Sequence, residues 1–157
     1  MDAVWFSGGL ALVLFVGLSL YLAPLKPGVL AIQLSFTPEA FARIVAAWSP
    51  AQLARYRRHL PIDGLLLLSY GAFGYLLATR TGLFAGSQSW ARTLGTWALP
   101  AAAAFDAIEN LLHGWLTSKT ALHTPVIHAV AGTVSATKWG LVLVFGGLVA
   151  HALLTRI

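Results

Sequence analysis

Hydrophobic residues gather into four long stretches that are separated by shorter, more polar segments. The stretches cover residues 3–23, 62–79, 94–117 and 126–154. A helix needs about 20 apolar residues, within a range of about 17–25, to cross the hydrocarbon core of a bilayer. The pattern therefore predicts an all-α fold, an integral membrane bundle of four transmembrane helices that forms a single domain over residues 1–157.

The segment between the first two stretches contains two signals for the start of a helix. Thr37-Pro38-Glu39 offers an N-cap, a proline at the first helical position and an acid in the first turn, and Ser49-Pro50-Ala51-Gln52 matches a capping box. Apolar residues recur at helical spacing after each signal. We expect interfacial amphipathic helices at about 38–48 and 50–60, with Pro61 kinking or restarting the chain before the second span.

The composition supports a membrane location. Apolar residues make up 58% of the chain and charged residues 10%, whereas soluble domains have about 45–50% and about 25%. These values exclude a soluble globule and a disordered chain, and they argue against a nucleic-acid-binding protein in spite of the net charge of +5. Cysteine is absent, which excludes disulfides and thiolate metal sites. The stretch 3–23 lacks the basic start of a signal peptide, so we expect it to be a retained first span.

Basic residues near the spans are distributed unevenly between the two sides of the bundle. The first and third loops carry Lys26, Arg43, Arg55, Arg57, Arg58 and Lys119, and the other side carries Arg80, Arg92 and Arg156. Cytoplasmic loops are enriched in lysine and arginine. We therefore expect loops 1 and 3 in the cytoplasm and both termini outside, in a bacterial inner membrane. The basic surface is expected to contact anionic lipid headgroups.

Polar side chains inside the stretches fall on matching helical faces and at matching depths. At a rise of about 1.5 Å per residue, three levels can be distinguished from the first-loop side inwards. The outer level holds Asp63, His113 and His128, the middle level Glu109, Tyr70 and Ser135, and the deepest level Asp106 and Lys138. Together these faces predict a polar funnel that opens on the first-loop side.

Each group of polar residues has a predicted role. Asp106 and Lys138 are expected to form a structural ion pair, because isolated charges at this depth are costly, and Glu109 is then left without a full cation. The catalytic candidates are Glu109 as general acid or base, with His113, Asp63 and His128. The substrate-binding candidates are Arg57 and Arg58 for an anionic headgroup, with Asn110, Tyr70 and Trp139. No metal or other cofactor is expected, because Glu109 and His113 do not have the Glu-x-x-His spacing of di-iron bundles.

Two stretches of the sequence resemble known membrane proteins. Residues 56–63, YRRHLPID, followed by Ser69-Tyr70-Gly71, and residues 105–113, FDAIENLLH, resemble small uncharacterised bacterial four-span proteins. The plan of four spans with an acid, an asparagine, a histidine and a tryptophan facing inwards is similar to that of the sterol-isomerase-like (EXPERA) and VanZ-like families. This similarity concerns architecture and implies a membrane fold; it assigns no residue roles.

The sequence leaves three functions open. The leading hypothesis is a membrane protein that binds or modifies a lipid or isoprenoid-like amphiphile, whose polar end would enter the funnel. One alternative is an accessory or assembly subunit, in a homo-oligomer or a larger membrane complex, whose buried charges only set helix pairing. The other is a transporter of protons or a small solute. The far halves of spans two and three are almost wholly apolar, which weakens a continuous pore within one chain.

Overall fold

The protein is built from α-helices in the part of the chain that the structure, a computed structural model, describes, namely residues 2–118 and 125–155. Lys119 and Arg156, used above to infer orientation, lie outside these residues. The helices are α1 (Asp2–Leu22), α2 (Val29–Gln33), α3 (Pro38–Ala47), α4 (Pro50–Arg80), α5 (Ser89–Leu116) and α6 (Pro125–Leu154).

Three of these helices, α1, α4 and α6, are long and apolar enough to cross a membrane. The prediction of a helical, multi-pass membrane protein is therefore confirmed, with three candidate spans among the described residues instead of the predicted four. Helix α5 coincides with the third predicted stretch and is 28 residues long, but it is not one of these three candidates. Its sequence contains Asp106, Glu109, Asn110 and His113.

The helix-start signals are confirmed, but one predicted boundary is wrong. Thr37 caps α3 by accepting a hydrogen bond from the backbone N–H of Ala40, and Ser49 forms the predicted capping box. The expected helix 50–60 is not separate from the second span, since α4 continues through Pro61. Side chains before and after the proline both contact α5, so tertiary packing holds the two halves in one helix despite the lost backbone hydrogen bond.

The four long helices pack in the order α1, α4, α5, α6, each against the next. One apolar cluster marks each end of this arrangement. The first-loop end has a cluster of Leu22, Leu25, Ile32, Phe41, Trp48, Tyr56, Leu116 and Ala131. The opposite end has a cluster of Leu83, Phe84, Ala98, Leu99, Phe145 and Ala152. Successive long helices therefore run antiparallel, as short connections between them require.

Helices α2 and α3 do not lie apart from the bundle; both pack on α6. We call residues 29–47 the cover segment. The indole N–H of Trp48 donates to the backbone carbonyl of Pro27 at 2.9 Å, which ties the two ends of the segment together. The Phe36 ring packs on Gly132 so closely that a Cβ at that glycine would lie 2.7 Å from it. The cover segment thus fills the first-loop end of the bundle.

Close packing between α4 and α5 gives a first testable prediction. A Cβ placed on Gly74 would lie 2.5 Å from the Cβ of Leu99, so we expect Gly74→Ala to lower the free energy of unfolding by about 1–3 kcal/mol. Unfolding in mixed detergent micelles measures the change. Leu99→Gly removes the Cβ that the added methyl group would meet, so the double variant should lose less than the sum of the two single losses. The control is Gly140→Ala, where nothing lies within 4 Å of the added Cβ. Equal losses at Gly74 and Gly140 would contradict the packing.

Candidate functional site

One lysine and two carboxylates form the centre of the buried polar region. The ammonium nitrogen of Lys138 on α6 lies 3.0 Å from Asp106 Oδ1 and 2.8 Å from Glu109 Oε2, both on α5. We call Asp106, Glu109 and Lys138 the charged triad. The structure thus brings together the predicted partners Asp106 and Lys138. The expectation that Glu109 lacks a full cation is wrong, because Asp106 and Glu109 are one helical turn apart and the lysine reaches both.

The remaining oxygen of each carboxylate also faces a hydrogen-bond donor. The Tyr70 hydroxyl donates to Asp106 Oδ2 at 2.9 Å, and the side-chain amide of Gln33 donates to Glu109 Oε1 at 2.6 Å. The Trp139 indole N–H donates to Gln33 Oε1 at 3.2 Å. An indole N–H can only donate, so this contact fixes which end of the Gln33 amide faces Glu109. Three of the four triad oxygens therefore accept a hydrogen bond, and the fourth, Glu109 Oε2, contacts the Lys138 ammonium as an ion pair without hydrogen-bond geometry.

The triad is isolated from water by the surrounding side chains. Glu109 is 1% exposed, Asp106 6% and Lys138 5%. Two carboxylates and one ammonium give the triad a formal charge of −1. Buried charges are tolerated where they are paired and where additional hydrogen bonds satisfy their remaining atoms. Here Gln33 and Tyr70 supply those additional bonds, so the cover segment contributes directly to the stability of the bundle core.

A second polar group lies nearer the first-loop end. The side-chain amide of Asn110 donates to Asp63 Oδ2 at 2.8 Å, and the Tyr56 hydroxyl is hydrogen-bonded to His113 Nδ1 at 2.7 Å. His59 bonds through Nδ1 to the backbone carbonyl of Tyr56. The α4 side chains lie about one helical turn deeper against α5 than the sequence predicts. Tyr70, predicted at the level of Glu109, contacts the deeper Asp106, and Asp63, predicted at the level of His113, contacts Asn110.

The polar funnel is closed on the first-loop side, which corrects the expectation that it is open. Phe41 of α3 packs its ring against His113 and His128, with ring-centre distances of 6.0 Å and 5.1 Å. Both histidines are buried, with exposures of 1% and 4%. Glu109 lies about two turns, or about 10 Å, from the end of α5, and Gln33 reaches it at this depth. The cover segment therefore enters the bundle end rather than lying flat on the surface.

A groove runs beside Phe41 at the first-loop end. Its volume is about 300 Å³, at the lower limit of ligand pockets, which span about 300–1,000 Å³. The lining residues come from α3, the end of α5 and the start of α6: Pro38, Phe41, Ala42, Val45, Ala46, Leu116, Thr117, Ser118 and His128. We call it the first-loop groove. One of the buried histidines, His128, is among its lining residues.

The two predicted headgroup-binding arginines differ in position. The Arg57 guanidinium donates to the backbone carbonyl of Thr117, a groove residue, at 3.5 Å. Arg58 is exposed on α4 and does not line the groove. Sequence reasoning missed Gln33 and Tyr56. Gln33 is a polar residue in an otherwise apolar five-residue helix, and that contrast is the signal that could have found it.

Comparison with known proteins identifies no relative. No family model, curated protein or solved structure matches the chain. Within residues 2–118 and 125–155, no three histidine or acidic side chains are arranged to hold a metal ion. The candidate functions of this site therefore follow from its geometry: a buried charged triad, a second polar group next to it, and a groove that His128 helps to line.

Proposed function

We propose that the protein is a four-span protein of the bacterial inner membrane that binds an anionic lipid or isoprenoid-like amphiphile in the first-loop groove. The apolar chain of the ligand would lie against Phe41, Val45 and Leu116. Its headgroup would lie at the groove rim, next to Arg57. The observation that carries the proposal is this groove, which joins an apolar wall, one buried histidine and an arginine at its edge.

The position of α5 supports a fourth span. Helix α5 packs between α4 and α6, two helices that are apolar enough to cross a membrane. Its charged residues Asp106 and Glu109 are buried inside the bundle, so they do not face lipid. Trp97, about two turns into α5, and Trp115, at its end, are both exposed and lie about 27 Å apart along the helix. This separation is close to the thickness of the hydrocarbon core, where tryptophan marks the two interfaces.

The charge at the first-loop end favours an anionic ligand. No acidic side chain is among the described residues that line the groove, while Arg57 contacts its rim and Arg43 is exposed on the helix that forms one wall. A basic residue close to an anionic lipid surface contributes about 1 kcal/mol to binding. The predicted orientation places this end in the cytoplasmic leaflet, where anionic lipids are abundant.

The buried groups would take different parts in this function. His128 lines the groove and is the catalytic candidate that a bound ligand could reach first. His113 packs against Phe41, and Asp63 and Asn110, both partly buried, contact each other between α4 and α5. Three triad oxygens accept hydrogen bonds from protein donors and the fourth is ion-paired with Lys138, which favours a structural role for Asp106 and Glu109. The same ion pairing weighs against proton transport through the triad.

Lipid analysis of the purified full-length chain tests the proposal. We expect the wild-type protein to retain an anionic amphiphile that is enriched over the bulk membrane lipid, as identified by mass spectrometry. Arg57→Gln should lower the retained amount about fivefold, because that factor corresponds to the contribution of one basic residue. Ala42→Trp should abolish retention, because Ala42 lines the groove and the larger side chain would fill it.

Two matched variants control this experiment. Arg58→Gln removes a neighbouring exposed charge, and Ala47→Trp adds the same bulk to an exposed α3 position outside the groove lining. Both should retain the amphiphile at the wild-type level. Lipid composition identical to that of the bulk membrane, or an equal loss in Ala42→Trp and Ala47→Trp, would contradict the proposal.

A further inference from the structure

A second groove lies at the opposite end of the bundle, where no site is expected from the sequence. Its volume is about 380 Å³. It is formed by the α4–α5 connection, the start of α5 and the end of α6, and its apolar lining includes Leu83, Phe84, Trp90, Leu148 and Ala152. We call it the opposite-end groove. It is independent of the first-loop groove, since the two share no lining residue.

The floor of this groove belongs to the packed interior. Phe84 is 1% exposed and Ala152 4%, and both belong to the apolar cluster at this end of the bundle. The groove is therefore floored by residues of this apolar cluster. A chain lying in it would contact apolar side chains along α6.

The rim of the groove is polar and basic. The Arg92 guanidinium donates to the backbone carbonyls of Ala85 and Ser87, each at 3.3 Å, and its side chain is exposed. These bonds hold the charge beside the groove residue Ser87. Arg92 itself lies just outside the lining, His151 belongs to it, and no acidic side chain is among the described residues that line the groove. An anionic group at this rim would meet a cation that is already positioned.

Aromatic residues indicate the depth of the groove in the membrane. Trp90 lines the groove, is 58% exposed, and donates its indole N–H to Gln88 at 2.6 Å. Trp97, also exposed, packs on Tyr75 with ring centres 5.6 Å apart. Exposed tryptophan and tyrosine collect at the boundary between hydrocarbon and headgroups. The groove thus lies at the level where a phospholipid has its headgroup and the first part of its acyl chains.

We infer that the opposite-end groove is a specific site for an anionic phospholipid of the leaflet on that side. One acyl chain lies along Phe84, Leu148 and Ala152, and the phosphate-containing headgroup lies at Arg92. An arginine suits this role because its planar guanidinium presents several N–H donors to phosphate oxygens. The site is distinct from the proposed first-loop ligand site, so each can exist without the other.

Fluorescence quenching by brominated lipids tests the inference on the full chain in vesicles. The signal from Trp90 is isolated by comparing the wild type with Trp90→Phe. We expect brominated phosphatidylglycerol to quench this signal at about a fivefold lower mole fraction than brominated phosphatidylcholine, the preference that one basic residue provides. Arg92→Gln should remove the preference. The control Arg80→Gln changes an exposed arginine at the end of α4 that, unlike Arg92, does not hydrogen-bond to the groove residue Ser87, and it should keep the preference.

A filling variant gives a second, independent readout. Ala152→Leu should reduce quenching of Trp90 by both lipids, because the added side chain occupies the floor of the groove; circular dichroism verifies that the variant keeps its helix content. Equal quenching by the two lipids in the wild type would show ordinary lipid contact and overturn the inference. An equal loss of preference in Arg92→Gln and Arg80→Gln would also overturn it. The preference would then come from the overall positive charge at this end of the bundle and not from a cation placed at the groove.

Discussion

Replacing Lys138 with methionine is expected to destabilise the protein by about 3–5 kcal/mol, the cost of removing one partner from a buried ion pair. Methionine fills much of the same space, but Asp106 and Glu109 then face each other without the cation that both contact. Unfolding in mixed detergent micelles measures the free energy. The control Ala136→Met makes a similar change at an exposed position of the same helix and should have little effect.

Neutralising the carboxylates should restore part of this loss. Asp106→Asn alone is expected to destabilise the protein less than Lys138→Met, since Lys138 keeps Glu109 as a partner. The double variant should lose less than the sum of the two single losses. Adding Glu109→Gln to the double variant should recover further stability, because no uncompensated charge remains in the triad. Strictly additive losses would contradict the ion pair.

Gln33→Leu is expected to loosen the cover segment and to increase the labelling rate of a cysteine at position 135 about tenfold or more. The substitution leaves Glu109 Oε1 and the Trp139 indole N–H without the amide that joins them. Each buried group left without a partner costs about 1–3 kcal/mol, and about 1.4 kcal/mol corresponds to a factor of ten. Ser135 has no exposed surface, and the chain has no other cysteine. A water-soluble maleimide therefore reports only on Ser135→Cys.

A second serine distinguishes local opening from global unfolding. Ser69 is buried on α4 and bonds to a backbone carbonyl one turn earlier, as Ser135 does on α6. In the Gln33→Leu background, Ser69→Cys should stay protected while Ser135→Cys is labelled. Ala31→Leu, at an exposed position of α2, should leave both protected. Equal labelling of the two cysteines, or no labelling of either, would contradict a cover held by Gln33.

Features that depend on local sequence could be predicted well. The caps at Thr37 and Ser49 are set by residues within four positions of each other, so short motifs are enough to find them. The membrane-spanning lengths of α1, α4 and α6 could likewise be predicted, because a long apolar stretch is a property of consecutive residues. The proximity of Asp106 and Lys138 could also be inferred, because equal depth on two consecutive helices leaves few other partners for a buried charge.

The parts that were missed depend on contacts between distant segments. Gln33 contacts Glu109 and Trp139, which are 76 and 106 residues further along the chain, so its polar character among apolar neighbours could mark it as unusual but could not identify these partners. The continuity of α4 through Pro61 follows from packing against α5 on both sides of the proline. The closure of the funnel was missed because α2 has only five residues, too few to show helical periodicity.

The long separation between Gln33 and its partners constrains how the chain is made. Gln33 leaves the ribosome 106 residues before Trp139, and bacterial and other ribosomes add about 5–20 residues per second. The cover segment is therefore present for about 5–20 s before Trp139 is synthesised. The bond between Gln33 and Trp139 accordingly forms late in synthesis, and a chain truncated before Trp139 lacks the indole N–H that donates to Gln33 Oε1.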